Sequence, residues 1–304
     1  METPKTLLQA VRYFSDLDVC NEYMKGIKWP DGKIVCPKCG GDRIGEIKTR
    51  KMLRCKDCRK QFSYKVNTIF EDSPLGLDKW FVAVWCITNA KNGISSYELA
   101  RALGITQKSA WHMLHRIRLA MQDDSSEKIG GTVEADETYI GGKGKNMHKA
   151  LRKARMKGRG TVGKMIVQGV LERGGRVIAG VVAESKRRTL QPNIWGLVES
   201  GSTIFTDALA SYVGLENEYL HETIDHAKEY VRGACHTNGM ENFWSLLKRG
   251  LNGTYISVMP WHLNRYVDEQ AFRYNERKGN DGDRFIEVMS RIVGKRLQYA
   301  ELIS

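Results

Sequence analysis

Four cysteines constrain this chain more than any other feature. They read Cys36-Pro37-Lys38-Cys39 and Cys55-Lys56-Asp57-Cys58, two short pairs with fifteen residues between them. Each pair can turn back to present two sulfurs to one tetrahedral ion, which is the spacing of a four-thiolate zinc site. Gly40, Gly41 and the basic "RCKDCRKQF" suit the tight turns of a zinc ribbon. Two disulfides in a secreted domain are the alternative. They conflict with an odd total of seven cysteines and with an opening, "METPKTLLQAVRYF", that lacks a basic n-region followed by an apolar core. Cys20, Cys86 and Cys235 are left over and are expected as small buried hydrophobes.

With 304 residues the chain has room for two or more domains, and 41% hydrophobic residues place it among globular proteins. No apolar run is long enough to span a bilayer, so a cytoplasmic protein with no membrane partner is expected. The formal charge of +13 predicts a polyanionic partner. Nucleic acid fits better than a membrane surface, because no basic helix with a large apolar face stands out. Part of the charge is concentrated in "KGKNMHKALRKARMKGRGTVGK" (143–164), with nine Lys or Arg and no acid. Such a run repels itself and is expected as a mobile loop unless a partner neutralises it.

Beyond the ribbon, "LDKWFVAVWCITNA" carries apolar residues at helical spacing. In "NGISSYELARALGITQKSAWHMLHRIRLAMQ", Ser95 or Ser96 can cap a helix ending at Leu103, Gly104 makes a turn, and Thr106 can cap a second helix. Short helix, glycine turn and longer basic helix suggest helix-turn-helix DNA binding, with Gln107, Lys108 and His112 on the helix that would enter a major groove. Two helices of an ordinary bundle would read similarly. After the polar "QDDSSEKIGG" (122–131) the pattern changes to short strands: "GTVEADETYI", "GKMIVQGVLE", "RVIAGVVAE" and "STIFTDALAS". The helix "RTLQPNIWGLVES" divides the third from the fourth, so the fold class is α/β, with a mixed sheet flanked by helices.

Carboxylates then draw attention. Asp136 and Asp207 stand in strands among apolar or small neighbours, where a lone carboxylate would lose its hydration. Coordination of Mg2+ or Mn2+ is one reason for such placement, and capping of a turn at a strand end is another. A third acid, Glu241, lies in "HTNGMENFWSLLKRG" (236–250). Helical spacing puts Phe243, Leu246, Leu247 and Gly250 on one stripe and Glu241, Trp244, Ser245 and Lys248 on another. Asn238 followed by Glu241 also fits a capping box, so from this segment alone Glu241 is either functional or a cap. Glu134 and Glu137 flank Asp136, and Glu134 shares its strand face; both rank below Asp136.

"VEADETYIGGK", "FTDALASY" and "HTNGMENFWSLLKRG", behind a ribbon and a helix-turn-helix-like region, resemble bacterial insertion-sequence transposases of the zinc-ribbon, Merlin-like DDE group, from about residue 30 to about residue 280. The resemblance implies a ribonuclease-H-like catalytic domain in which Asp136, Asp207 and Glu241 hold two Mg2+ or Mn2+ ions. Thirty-three residues separate Asp207 from Glu241, and Lys248 lies seven beyond Glu241, as in enzymes of that group. It further implies a DNA transposase that binds element ends, cleaves DNA and joins the freed 3'-hydroxyl to target DNA. One ion would activate the attacking oxygen and the other stabilise the leaving oxygen. Lys248 suits a phosphate near the scissile one. His236 and Asn238 are expected to orient substrate or a carboxylate, or to cap the helix. Core packing is expected of Trp244 and Trp261.

The resulting division is a helical lead (1–30), zinc ribbon (31–66), helix-turn-helix-like region (67–125), ribonuclease-H-like DDE domain (126–280) and C-terminal tail (281–304). Pairing two element ends implies at least a homodimer on DNA. A nuclease on the same fold and a non-enzymatic DNA-binding regulator are the alternatives. Against the regulator stand Asp136, Asp207, Glu241 and Lys248 together, since a pure binder does not need them.

Overall fold

Cysteine spacing and cap residues translate directly into the first part of the fold. A computed structural model describes residues 4–142, 163–224 and 236–303, and it divides into two units. Nearly all of the basic 143–164 segment, and Cys235, lie outside the described residues.

The first unit comprises Met1–Gln122 and Glu276–Ser304. Helices α1 (Leu7–Tyr13) and α2 (Leu17–Lys28), the latter capped by the Asp16 side chain, lead into three antiparallel strands. These are β1 (Ile44–Ile47), β2 (Met52–Cys55) and β3 (Gln61–Phe62), in the order β1-β2-β3. Register places Ile44 opposite Cys55, so both cysteine pairs sit at one end of the small sheet. Cys36 Sγ lies 3.6 Å from Cys58 Sγ, and Cys39 Sγ 3.7 Å from Cys55 Sγ. Four sulfurs at about 2.3 Å from a tetrahedral ion would be about 3.8 Å apart, and no disulfide spans such distances. The four cysteines thus cluster as a zinc ribbon requires.

Helix α3 (Leu77–Asn89) buries Trp80, Phe81, Val84, Trp85 and Ile87. Next come α4 (Ser96–Leu103) and α5 (Gln107–Met121). Ser95 and Glu98 form a reciprocal capping box, Gly104 takes φ 60° to end α4, and Thr106 caps α5 by accepting from Ser109 N. Each of these signals is local, which is why it could be read without tertiary information. Burial is not local: Met113 through Arg118 are all buried, leaving the first turns of α5 as its accessible part.

In the second unit, Asp123–Asn275, the strands are β4 (Thr132–Ile140), β5 (Met165–Glu172), β6 (Val177–Val182), β7 (Thr203–Asp207) and β8 (Leu220–Ile224). Their order is β6-β5-β4-β7-β8. The first three are antiparallel neighbours, and β7 and β8 run parallel to β4, a ribonuclease-H-like arrangement. Helix α6 (Arg187–Leu197) covers one face, where Val133, Ala135, Val170, Leu190, Ile194 and Ile204 form a core. Helices α7 (Asn238–Arg249) and α8 (Leu263–Asn275) cover the other, over Val167, Leu171 and Val177. Trp244 packs in that core as expected. Trp261 does not: it is 65% exposed on a turn ahead of α8, because its ring falls outside the apolar stripe that α8 lays on β6.

The final helices α9 (Asp281–Ser290) and α10 (Tyr299–Ile303) belong to the first unit. Phe285 of α9 joins Phe14 and Phe81 in one aromatic cluster. Around α10, Tyr299 receives Lys108 Nζ over its ring at 4.6 Å and the His112 ring at 5.5 Å. The C-terminal residues therefore lie on the accessible turns of α5.

Candidate active site

Strand alternation and register bring the acids together. Along β4, Val133, Ala135 and Glu137 face α6, whereas Glu134 and Asp136 face α7. Glu134 pairs with Phe205 of β7, so two residues further along each strand Asp136 comes level with Asp207. Asp207 is the last residue of β7, while β4 continues to Ile140. Beyond that point β4 has no neighbour on this side from β7, and side chains from both of its faces can meet at the opening. Carboxylate oxygens of Asp136, Glu137 and Asp207 all lie within 4.8 Å of one another. Trans oxygens around Mg2+ are separated by about 4.2 Å, so the three acids need only small adjustments to share an ion.

Each member of the cluster is held. The Trp244 indole Nε1 donates to Asp136 Oδ2 at 2.9 Å, and the Tyr212 hydroxyl donates to Glu137 Oε2 at 2.7 Å. Asp207 Oδ1 accepts from Leu209 N at 3.1 Å. Burial, and then the charges of Glu137 and Asp207, push the Asp136 carboxyl up to about 7, against a smaller lowering by the Trp244 hydrogen bond. Burial also raises Glu137, opposed by the Tyr212 hydroxyl. Three carboxylates this close repel one another, and a divalent cation is the group that relieves the repulsion. Glu137 was readable as a neighbour of Asp136 but not as a partner, because alternation places it on the opposite strand face.

Helix α7 supplies the remaining sequence candidates. Met240, Phe243, Trp244 and Leu247 are its buried stripe, so Trp244 belongs with the core residues and not with Glu241. Gly169, opposite Asp136 on β5, makes room: a Cβ there would lie 2.5 Å from Met240 Cε and 2.9 Å from Trp244 Cη2. Glu241 and Lys248 are exposed on the flank of α7 next to Trp244. Glu241 does not join the converging acids among the described residues. The capping box from Asn238 does not form either. Asn238 is already helical, Thr237 is the cap residue, and its side chain makes no capping bond. Instead Glu134 Oε2 accepts from Met240 N at 3.0 Å, so a strand residue caps the helix.

Glu134 is 1% exposed, and its other oxygen accepts from Arg173 Nε at 2.9 Å. With both oxygens engaged, it lies outside the metal-ligating group. Arg173 also donates to the His236 carbonyl at 2.7 Å and lies 3.0 Å from His236 Nδ1.

A five-stranded sheet in this order, with acids at the middle of its first strand and the end of its fourth, and a cysteine ribbon in the other unit, defines a ribonuclease-H-like protein with a cluster of acids suited to a divalent cation. Residues 128–275 match the model of the ISXO2-like transposase domain, and residues 16–61 match that of the transposase zinc-ribbon domain. The chain therefore carries an ISXO2-like transposase domain behind a transposase zinc-ribbon domain. It is also 29% identical over 242 residues to a Halobacterium salinarum protein described as "Uncharacterized protein in transposable element ISH50", covering 74% of this chain and 80% of the relative. No helix of the described residues is long and apolar enough to cross a membrane.

Proposed function

We propose that this protein is the DNA transposase of an insertion sequence, acting in the cytoplasm on the ends of its own element and on target DNA. The convergence of Asp136, Glu137 and Asp207 at the end of β7 carries the reading. Such a group is costly to assemble without a cation and is suited to phosphoryl transfer with one. Asp136, Asp207 and Glu241 are the proposed ligands of two Mg2+ or Mn2+ ions, with Glu137 as a further oxygen donor beside Asp136. The ions would polarise the scissile phosphate and lower the pKa of the attacking water or 3'-hydroxyl.

Lys248, two turns beyond Glu241 on the same flank of α7, is proposed to hold a neighbouring phosphate as a point charge. The zinc ribbon and the α4–α5 pair are proposed to recognise element ends. Because two ends must be cut together, a homodimer or larger assembly on DNA is proposed as well.

The test uses purified protein and DNA carrying the terminal repeats that flank its coding locus. Cleavage and joining are followed with Mn2+, with EDTA and with Asp136→Ala. Metal-dependent nicks and joined products that vanish in the variant are expected. Nicks without joined products would favour a nuclease, and end binding without any cleavage would favour a regulator. Sedimentation of a complex with one protomer for two paired ends would reject the dimer.

A further inference from the structure

Glu134 and Arg173 join four separate stretches of chain beside the acidic cluster. Glu134 sits on β4, two residues before Asp136, and its Oε2 receives the Met240 amide in the first turn of α7. Its Oε1 receives Arg173 from the turn that follows β5. Arg173 lies over the Phe205 ring of β7 at 4.4 Å and grips His236, just ahead of α7, at both the carbonyl and the ring. Gly239 is part of the same fit, because a Cβ there would come 2.8 Å from Glu134 Oε2 and 3.1 Å from Leu171 Cδ2.

This linkage does more than fill a core. A carboxylate accepting a first-turn amide fixes the start of a helix by a directional bond reinforced by the helix dipole. The apolar contacts of Met240, Phe243 and Leu247 would allow α7 to slide or rotate by a fraction of a residue, whereas the Glu134 bond sets its register against β4. The same strand carries Asp136, so Glu134 at the start of α7, together with the Trp244–Asp136 bond further along it, defines where the flank bearing Glu241 and Lys248 stands relative to the acids.

We propose that Glu134 and Arg173 are positioning residues for the active centre: they act through α7, holding Glu241 at the distance from Asp136 and Asp207 that metal-dependent DNA cleavage requires. This rests on the reading of Glu241 as an active-centre ligand. A displacement of the order of 1 Å in such a site costs about 100-fold in rate. Neither residue is itself a ligand, since Glu134 has both oxygens committed and Arg173 is a cation.

A double-mutant cycle tests this on the full-length protein, with Glu134→Ala, Arg173→Ala, Glu241→Ala and the two pairs involving Glu241. End cleavage at saturating DNA, KM for DNA and the Mn2+ concentration for half-maximal rate are read together, with circular dichroism to report folding. Glu134→Ala and Arg173→Ala are expected to lower the cleavage rate about 10- to 100-fold, leave KM for DNA within about twofold and raise the Mn2+ requirement. Combined with Glu241→Ala, they should add little to the loss that variant already causes. Arg173→Lys, which keeps the charge beside Glu134, should recover part of the rate. Gly239→Ala should reproduce the Glu134→Ala phenotype without removing a polar group.

Losses that multiply with Glu241→Ala would overturn the proposal while leaving Glu241 in the active centre. Full activity of Glu241→Ala would remove the reading beneath it, and the proposal with it. Should Glu134→Ala fail to fold, Arg173→Lys and Gly239→Ala carry the same cycle, and an unchanged rate in both overturns it.

Discussion

The Trp244 indole and the Asp136 carboxylate, joined by a 2.9 Å hydrogen bond, tie the helix of the active-site flank to the central strand of the sheet. Because the indole donates to the charged form of the carboxylate, it partly counters the upward push of burial and of the neighbouring acids. Trp244→Phe keeps an aromatic ring in the core but removes this donor. A hydrogen bond worth about 1 kcal/mol corresponds to about 0.7 of a pH unit. At subsaturating Mn2+, where protons and metal compete for Asp136, the acid limb of the cleavage pH profile is therefore expected to move up by about that amount, with a loss of about 3-fold at pH 7. An unchanged profile would show that the bond does not tune Asp136.

A linked expectation concerns stability without metal. With a folded pKa of about 7 against about 3.9 for an unfolded Asp, the native state binds more protons between those values. The contribution of Asp136 to stability therefore falls as pH rises from about 4 to about 7 and stays low above that. In EDTA at pH 8, Asp136→Asn is expected to be more stable than wild type by about 1–3 kcal/mol, and about equal to it at pH 4. Mn2+ should stabilise wild type at pH 8 and have little effect on the variant. Thermal melts at both pH values decide this.

Zinc is expected to be integral to the first unit. Cys39→Ser leaves three thiolates around the ion, and the small sheet of β1, β2 and β3 is too short to hold its shape without the metal. Zinc content should fall and affinity for element ends should weaken, while the Asp123–Asn275 unit of the full-length variant stays folded. Unchanged metal content and end affinity would contradict the ribbon assignment.

The close approach of α7 to the sheet predicts a sharp difference between two glycines of neighbouring strands. Gly169→Ala drives a methyl group into Trp244 and Met240 and is expected to cost about 1–3 kcal/mol. Gly180→Ala meets only Asn264 Oδ1, at 3.6 Å, and should change stability by less than about 0.5 kcal/mol. Urea midpoints of the two variants measure this directly, and equal values would show that α7 is not seated where the structure puts it.

Readable signals in the chain were those whose physics is short-ranged. Cysteine spacing, the Ser95 and Thr106 caps, the Gly104 turn and the four strands carrying apolar runs all depend on residues within a few positions of one another. Asp136 and Asp207 stood out for the same reason, as acids inside apolar strands. Strand β8 was not legible: "LHETI" buries only Ile224 and lies at a sheet edge, where no alternating apolar pattern is required.

Long-range features belonged to the tertiary structure. Only the parallel register of β4 and β7 makes Asp136 level with Asp207, and only the end of β7 opens a space that Glu137 can enter from the other face. Glu134 and Asp136 share a strand face and a residue class, yet one is consumed by Arg173 and the start of α7 while the other faces the acids. Spacing along the chain assigns a face. What occupies that face is set by which distant strand, helix or turn packs against it, and so by the fold as a whole.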